Sequence, residues 1–328
     1  MNFDSFYEET LLPVLQELEQ KRRNVIKNRM AMGIITAFII FTHSLLIVME
    51  LLHPLTMFIS LFLLPLLAYF IYSKFFDNTN EIEAAYKELI IKETLSSQIR
   101  AMNYKEDYYI QYLDFQPSML YPMMPDHYSG SHYIKGENKF MTIAASHLHL
   151  GYEDSDKKWN EIFEGFFVIG ESKTSIKSST LLLADDLQEN FGTLGKQLQD
   201  VQLFKVDFAD KERVKTFEYV EMQNREFAKS FAVYSDNYIE TQQILNETVC
   251  ENILRLKNEC GISLSLSISP QKIYAGIAFS EDQFAFNHWK TLLDKDKSLP
   301  AYEALRTTLE VMNDIVMRFI KKDKILIL

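Results

Sequence analysis

Cysteine is nearly absent from this chain: Cys250 and Cys260 are the only two in 328 residues. So few thiols exclude a disulfide-stapled scaffold and a thiolate-rich zinc site. Both fall on or at the end of one predicted helix. Ten residues there span ~15 Å along the axis, too far for a disulfide. Two reduced thiols suit a cytoplasmic domain. Basic excess is lacking as well: 34 Lys and Arg stand against 45 Asp and Glu, a net charge of -11. Phosphate contacts need clustered cations, so nucleic-acid binding is excluded as the chain's business. Catalytic signatures are missing too. There is no HExxH, CxxC or GxSxG pattern, no internal repeat and no low-complexity segment.

Two stretches lack charge altogether, and these are the most informative feature present. Residues 31–49 and 55–72 are apolar runs separated only by Glu50-Leu51-Leu52-His53-Pro54. Each can cross the ~30 Å of a bilayer core as a helix at ~1.5 Å per residue. Lys21, Arg22, Arg23, Lys27 and Arg29 precede the first run, Lys74 follows the second, and the connection has no Lys or Arg. Positive charge stays inside, so both ends are expected in the cytoplasm and the connection outside. A signal peptide is disfavoured because a helical segment precedes the first run and a second run follows at once. Pro65 is tolerable within a membrane helix. His43, inside the first span, is read as neutral and facing the partner helix, although an intramembrane ionisable group is a functional candidate by default.

The organisation expected is four-part. Residues 1–29 form an amphipathic cytoplasmic helix with Phe6, Val14, Leu18 and Val25 at helical spacing and Glu17, Glu19, Lys21 and Arg22 between them. Pro13 marks a kink or restart. Residues 30–73 are the hairpin. Residues 74–106 are a juxtamembrane helical stalk, helical from Asn80 to Arg100. Residues 107–328 form a cytoplasmic α+β domain, a mainly antiparallel sheet with a few packed helices. Strands are expected at Tyr108–Leu113, His132–Lys135, Phe140–Leu150, Glu161–Ile169, Thr180–Leu183, Val214–Glu221 and Phe231–Tyr234. Gln116 to Gly130 reads as a loop and Asp186 to Asp200 as holding a short helix. Asn246 caps a helix over 247–259 that stops at Gly261. Ile262, Leu264, Leu266 and Ile268 alternate with serines up to Pro270-Gln271, after which Ile273, Ala275, Ile277 and Phe279 continue. That predicts a hairpin with one buried and one wet face. A last helix covers 301–323.

Few residues invite chemistry. Gly165 to Gly170 imitates P-loop spacing, but Glu171-Ser172 stands where Lys-Ser/Thr must follow, and the intervening residues are bulky; an inner strand fits better. Four of seven histidines crowd together: His127, His132, His147 and His149. His147 and His149 share a strand face, and Glu153, Asp154 and Asp156 follow. His147, His149 and Glu153 are the candidate metal ligands, two imidazoles and a carboxylate. Edge or surface histidines are the plainer reading. Cys250, on the apolar helix stripe, reads as a buried structural thiol. No cofactor is expected.

The order of these features resembles a bacterial membrane-protein family, domain of unknown function 3137. The stretches that carry the resemblance are Pro13 to Arg22, Tyr133-Ile134-Lys135-Gly136 with the strand Phe140–Leu150, Ile162 to Val168, and Glu226-Phe227 with Phe231 to Asp236 leading to Ile244-Leu245. The chain departs from the family at Thr174-Ser175-Ile176-Lys177, where an aromatic-basic segment is expected, and at Glu247, where proline is expected. The resemblance implies two N-terminal spans, a cytoplasmic domain and no assigned activity. It also implies a LemA-type membrane protein as a partner, since members are often encoded beside such proteins.

Together these readings predict a bacterial inner-membrane protein with its N-terminus and its C-terminal domain in the cytoplasm. It would bind the bilayer through the hairpin and act as an anchored interaction or regulatory module, binding another protein or itself. The competing reading is a membrane-tethered metal-dependent hydrolase built on His147, His149 and nearby carboxylates. A third is ligand sensing in a pocket above the sheet.

Overall fold

The computed structural model describes residues 3–49, 62–63, 65–66, 69–70, 72–73, 78–96, 98–121, 124–176, 178–184, 203–207, 214–279 and 289–325. The expected connection at residues 50–54, most of the second apolar run, the expected helix at 186–200 and the last three residues lie outside them. The chain divides into two compact units. One comprises residues 1–90 with 284–296, the other residues 91–283 with 297–328.

In the first unit, residues Phe3–Phe6 are helical and Tyr7–Leu11 form a wider π-helical turn. The long helix α1 (Leu12–Val48) then runs without a break. Pro13 has no N–H to give to the preceding turn, and the widened turn sits just where an α-helical bond would be missing. The amphipathic segment and the first apolar run are therefore one helix, long and apolar enough to cross a membrane. Its two halves differ in surroundings. Leu11, Leu15, Leu18 and Val25 are buried, while Ile34, Phe38, Phe41 and Val48 stand open. The described parts of residues 62–73 are helical, and Tyr72 donates its hydroxyl to the Val25 carbonyl at 3.2 Å. His43 bonds the Ile39 carbonyl one turn back at 3.1 Å. Helix α2 (Thr79–Ser96) follows, and Arg29 donates to the Thr79 hydroxyl at 2.7 Å.

The second unit is built on one antiparallel sheet. Its strands in chain order are β1 (Arg100–Lys105), β2 (His127–Glu137), β3 (Met141–Glu153), β4 (Trp159–Ser172), β5 (Thr180–Ala184), β6 (Leu203–Asp207), β7 (Val214–Tyr219), β8 (Phe231–Ser235), β9 (Ile262–Ile268) and β10 (Lys272–Phe279). They are arranged β1-β2-β3-β4-β10-β9-β5-β8-β7-β6. The late β9–β10 hairpin thus fills the middle, between β4 and β5. The helices are a single turn α3 (Tyr112–Phe115), then α4 (Arg225–Ser230), α5 (Tyr238–Ile244), α6 (Glu247–Cys260) and α7 (Lys295–Ile325). Asn246 caps α6 by accepting from the Val249 amide, and Gly261 ends it at φ 64°, a left-handed conformation that glycine takes without steric cost.

Both faces of this sheet are covered, which corrects two expectations. Tyr108–Leu113 is not a strand. The Tyr108 carbonyl takes one backbone bond from the Tyr133 amide, at 2.9 Å, but no ladder follows: the Ile110 amide donates to the Ser146 hydroxyl and its carbonyl accepts from the Tyr128 hydroxyl. This segment and α3 lay Phe115 on Phe167, with ring centroids 4.8 Å apart, and Tyr121 lies on Phe163 at the same distance. That aromatic cover also claims the supposed wet face of the β9–β10 hairpin. Ser265 and Ser267 are buried, and Gly276, the cross-strand partner of Ser265, has the Tyr121 hydroxyl where a β-carbon would go. On the opposite face Met312 of α7 meets Gly170 beside Met141, and Arg255 of α6 reaches Glu303 and Thr307 of α7. Residues 100–105, expected at the end of a helical stalk, form β1 instead, paired with β2.

Candidate functional site

The histidine window resolves onto three neighbouring strands. On β3, His147 lies opposite Ser131 and His149 opposite Ser129 of β2, and Gly151 faces His127. On the other side, β4 places Phe166 opposite His147, Glu164 opposite His149 and Glu161 opposite Gly151. Residues 161 and 164 are three apart, and regular alternation would send them to opposite faces. The register shifts between Leu150 and Gly151. Ile162 and Phe163 both enter the core cluster beneath, leaving Glu161 and Glu164 exposed on the other side. A β-bulge therefore brings two carboxylates to one histidine.

The imidazole Nε2 of His149 lies 3.7 Å from Oε2 of Glu161. One donor atom from each of His149, Glu161 and Glu164 falls within 4.8 Å of the others. Partial burial, and after it repulsion from Glu164, push the Glu161 carboxyl above the ordinary glutamate range, with His149 pulling the other way. Neither glutamate has a Lys or Arg partner among the described residues. Trp159 walls the site: its ring is 5.7 Å from that of His149 and 5.8 Å from that of His127. It passes so close over Gly151 that no β-carbon would fit there. His127 and His149 have centroids 6.2 Å apart. An imidazole beside two carboxylates is a donor set suited to a divalent transition ion.

Of the three ligands expected from the sequence, His149 belongs to this group, while His147 and Glu153 stand on the same strand beside it. The His147 ring packs edge-on against Phe166 at 6.0 Å. Glu153 ends the strand, and its amide donates to Asp126 at 3.1 Å. His132 is engaged with the Tyr104 hydroxyl at 2.8 Å. Asp154 accepts from the amides of Asp156 and Lys158, both at 2.9 Å. These bonds commit it to its turn, and the Lys158 amide leads in holding its carboxyl below the usual range. Glu161 and Glu164 escaped the sequence reading because only a bulge aligns them. The one available signal was the apolar pair Ile162-Phe163 between two acidic residues. Cys250 is buried, as expected, and burial pushes its thiol up to about 12, which leaves it protonated and inert.

Two concavities lie elsewhere in this unit. One of about 150 Å³ sits under Tyr108 and Tyr133, with Asp114, Lys135, Glu171 and Lys272 on its walls. An open groove of about 830 Å³ runs between Asn224 and α5, with Tyr238, Gln242, Leu245 and Cys250 along it.

Residues 161–319 match the model of a family described as protein of unknown function (DUF3137). Over that stretch the chain is similar to that family. The match begins at Glu161, so it takes in both glutamates of the group but not His149. It covers two of the stretches that suggested the family, Ile162 to Val168 and Glu226 to Leu245, and stops short of Pro13 to Arg22 and Tyr133 to Gly136. No curated protein matches the chain. Among solved structures it is similar to the mycobacterial trehalose monomycolate transport factor A, TtfA. Identity is 8%, coverage is 71% of this chain and 94% of that one, and the TM-score is 0.35. A likeness that faint carries no argument about function.

Proposed function

We propose that this protein is anchored in the bacterial cytoplasmic membrane by a two-helix hairpin. Its N-terminus and sheet unit would both lie in the cytoplasm, and it would work as an interaction or regulatory module. The observation that carries the reading is the change along α1. Its first half buries apolar residues on one side, whereas from Met30 onward it turns a broad apolar face outward: Ile34 is 71% exposed, Phe41 65% and Val48 80%. In water such a surface would aggregate; in hydrocarbon it is solvated. Phe62, Leu63, Leu66, Tyr69 and Phe70, in the second apolar run, are open in the same way. Each fully covered Leu- or Phe-sized side chain contributes roughly 1.5–3 kcal/mol, so a span of this length holds the chain in lipid firmly.

The partner proposed is another membrane protein of LemA type, as the family resemblance suggests, or a second copy of the chain. Anchoring is tested by flotation after alkaline carbonate washing. The full chain should rise with the lipid and a chain lacking residues 31–72 should not; a full chain released by carbonate overturns the anchor. Partnership is tested by cross-linking in intact membranes, where a discrete larger species that disappears with the hairpin is expected. Recovery of the uncombined chain alone would remove the support for an interaction role.

A further inference from the structure

We propose that His149, Glu161 and Glu164 bind one divalent first-row transition ion, zinc in the first instance. This goes beyond the anchored-module reading and does not depend on it. Three observations carry it. The donor set is mixed: two carboxylates and an imidazole converge with their donor atoms within 4.8 Å of one another. A nitrogen donor in such a set favours zinc or its neighbours over calcium and magnesium, which take oxygen.

The second observation is the backbone that holds them. Around His149, β3 is paired on both sides, with β2 and with β4, and the β4 stretch that carries the two glutamates is held by its pairing with β3. The bulge at Ile162-Phe163 is pinned from below by two buried side chains. The carboxylates are therefore brought together by the core and not by a loop that could relax. The third is charge. Two carboxylates are held side by side, and no Lys or Arg neutralises either among the described residues; a dication supplies what is missing. The ring of His149 is braced against Trp159, while His127 beside it is engaged with the Ser129 hydroxyl at 3.1 Å and stands outside the donor set. Exposure of the two glutamates leaves the ion an entry path and room for water as a remaining ligand.

The test uses the full chain in detergent, stripped with chelator and titrated calorimetrically with zinc chloride. One equivalent should bind. Glu164→Gln keeps the shape of the side chain and should weaken binding at least tenfold, as should His149→Ala, while His147→Ala should change it less than twofold. At equal zinc concentration the melting temperature of the natural chain should rise further than that of Glu164→Gln. No uptake, or equal affinity in the natural chain and Glu164→Gln, overturns the proposal. So does calcium binding as tight as zinc, which would leave the imidazole without a role. Should His149→Ala fail to fold, Glu164→Gln alone decides.

Discussion

At the scale of single residues, the first unit turns on Glu19. Its spacing among Glu17, Lys21 and Arg22 reads as a solvated helix face, yet Glu19 and Arg22 are both buried. Arg22 grips the carboxylate with two bonds, of 2.8 and 2.7 Å, Arg23 adds one of 2.8 Å, and the Leu292 amide donates at 3.0 Å. Burial by itself would raise this carboxyl. The bonds from Arg22, Leu292 and Arg23 outweigh it and hold it at about 2. A folded value depressed below the ordinary 4.5 gives stability that is complete above that pH. It is lost as pH falls from there toward about 2. Amide exchange at Leu292 should accordingly quicken across that window. In Glu19→Gln the acid step should vanish, and the unit should lose roughly 1–3 kcal/mol because the charge-assisted bonds from Arg22 and Arg23 become bonds to a neutral amide. An unchanged exchange profile in the variant would refute this. The sequence could not reveal the burial, since residue 292 is what completes the cluster and it comes from the other end of the chain.

At the scale of elements, legibility followed locality. The α6 helix and the β9–β10 hairpin are both specified by neighbours in sequence: a cap, a left-handed glycine, a Pro-Gln turn and strict alternation. Both were found where they were read. Removing the cap in Asn246→Ala should cost about 1 kcal/mol, measured by denaturant unfolding at unchanged m-value; no loss would mean that the cap is redundant with packing. Elements that depend on distant partners were misread or missed. Tyr108–Leu113 has strand-like composition, but after one backbone bond at Tyr108 its Ile110 peptide groups are taken up by the Ser146 and Tyr128 side chains. Its rings therefore serve as a lid on the sheet. β1 and β6 are outer strands with mixed composition, α4 and α5 are short, and none carries enough periodicity to stand out. The serine face looked wet because serine is polar. It is buried because serine is small, and Tyr121 needs the space.

At the scale of the molecule, the long helix and the acidic surplus govern where the protein can work. The proposed topology makes a labelling prediction. In intact cells a membrane-impermeant maleimide should reach a cysteine placed in the short connection by Leu52→Cys. The natural Cys260, half-buried at the end of α6, should react only after permeabilisation. The opposite pattern would invert the orientation argued from Lys and Arg. Thiol background should be low, since Cys250 is buried and its thiol stays protonated.

Composition and pattern alone determined the broad character of this protein: an apolar N-terminal helix and an α+β sheet unit with an acidic surplus. These follow from local physics, from hydropathy over one helix length, alternation over one strand and charge summed over the chain. Only the tertiary structure decided which residues meet. It buried Glu19 against residue 292, covered the serine face, and moved the candidate ligands from His147 and Glu153 to Glu161 and Glu164. The physical reason is the same each time: a bulge, a lid or a buried ion pair is fixed by what packs against it, and that partner lies outside the window in which a sequence pattern can be read.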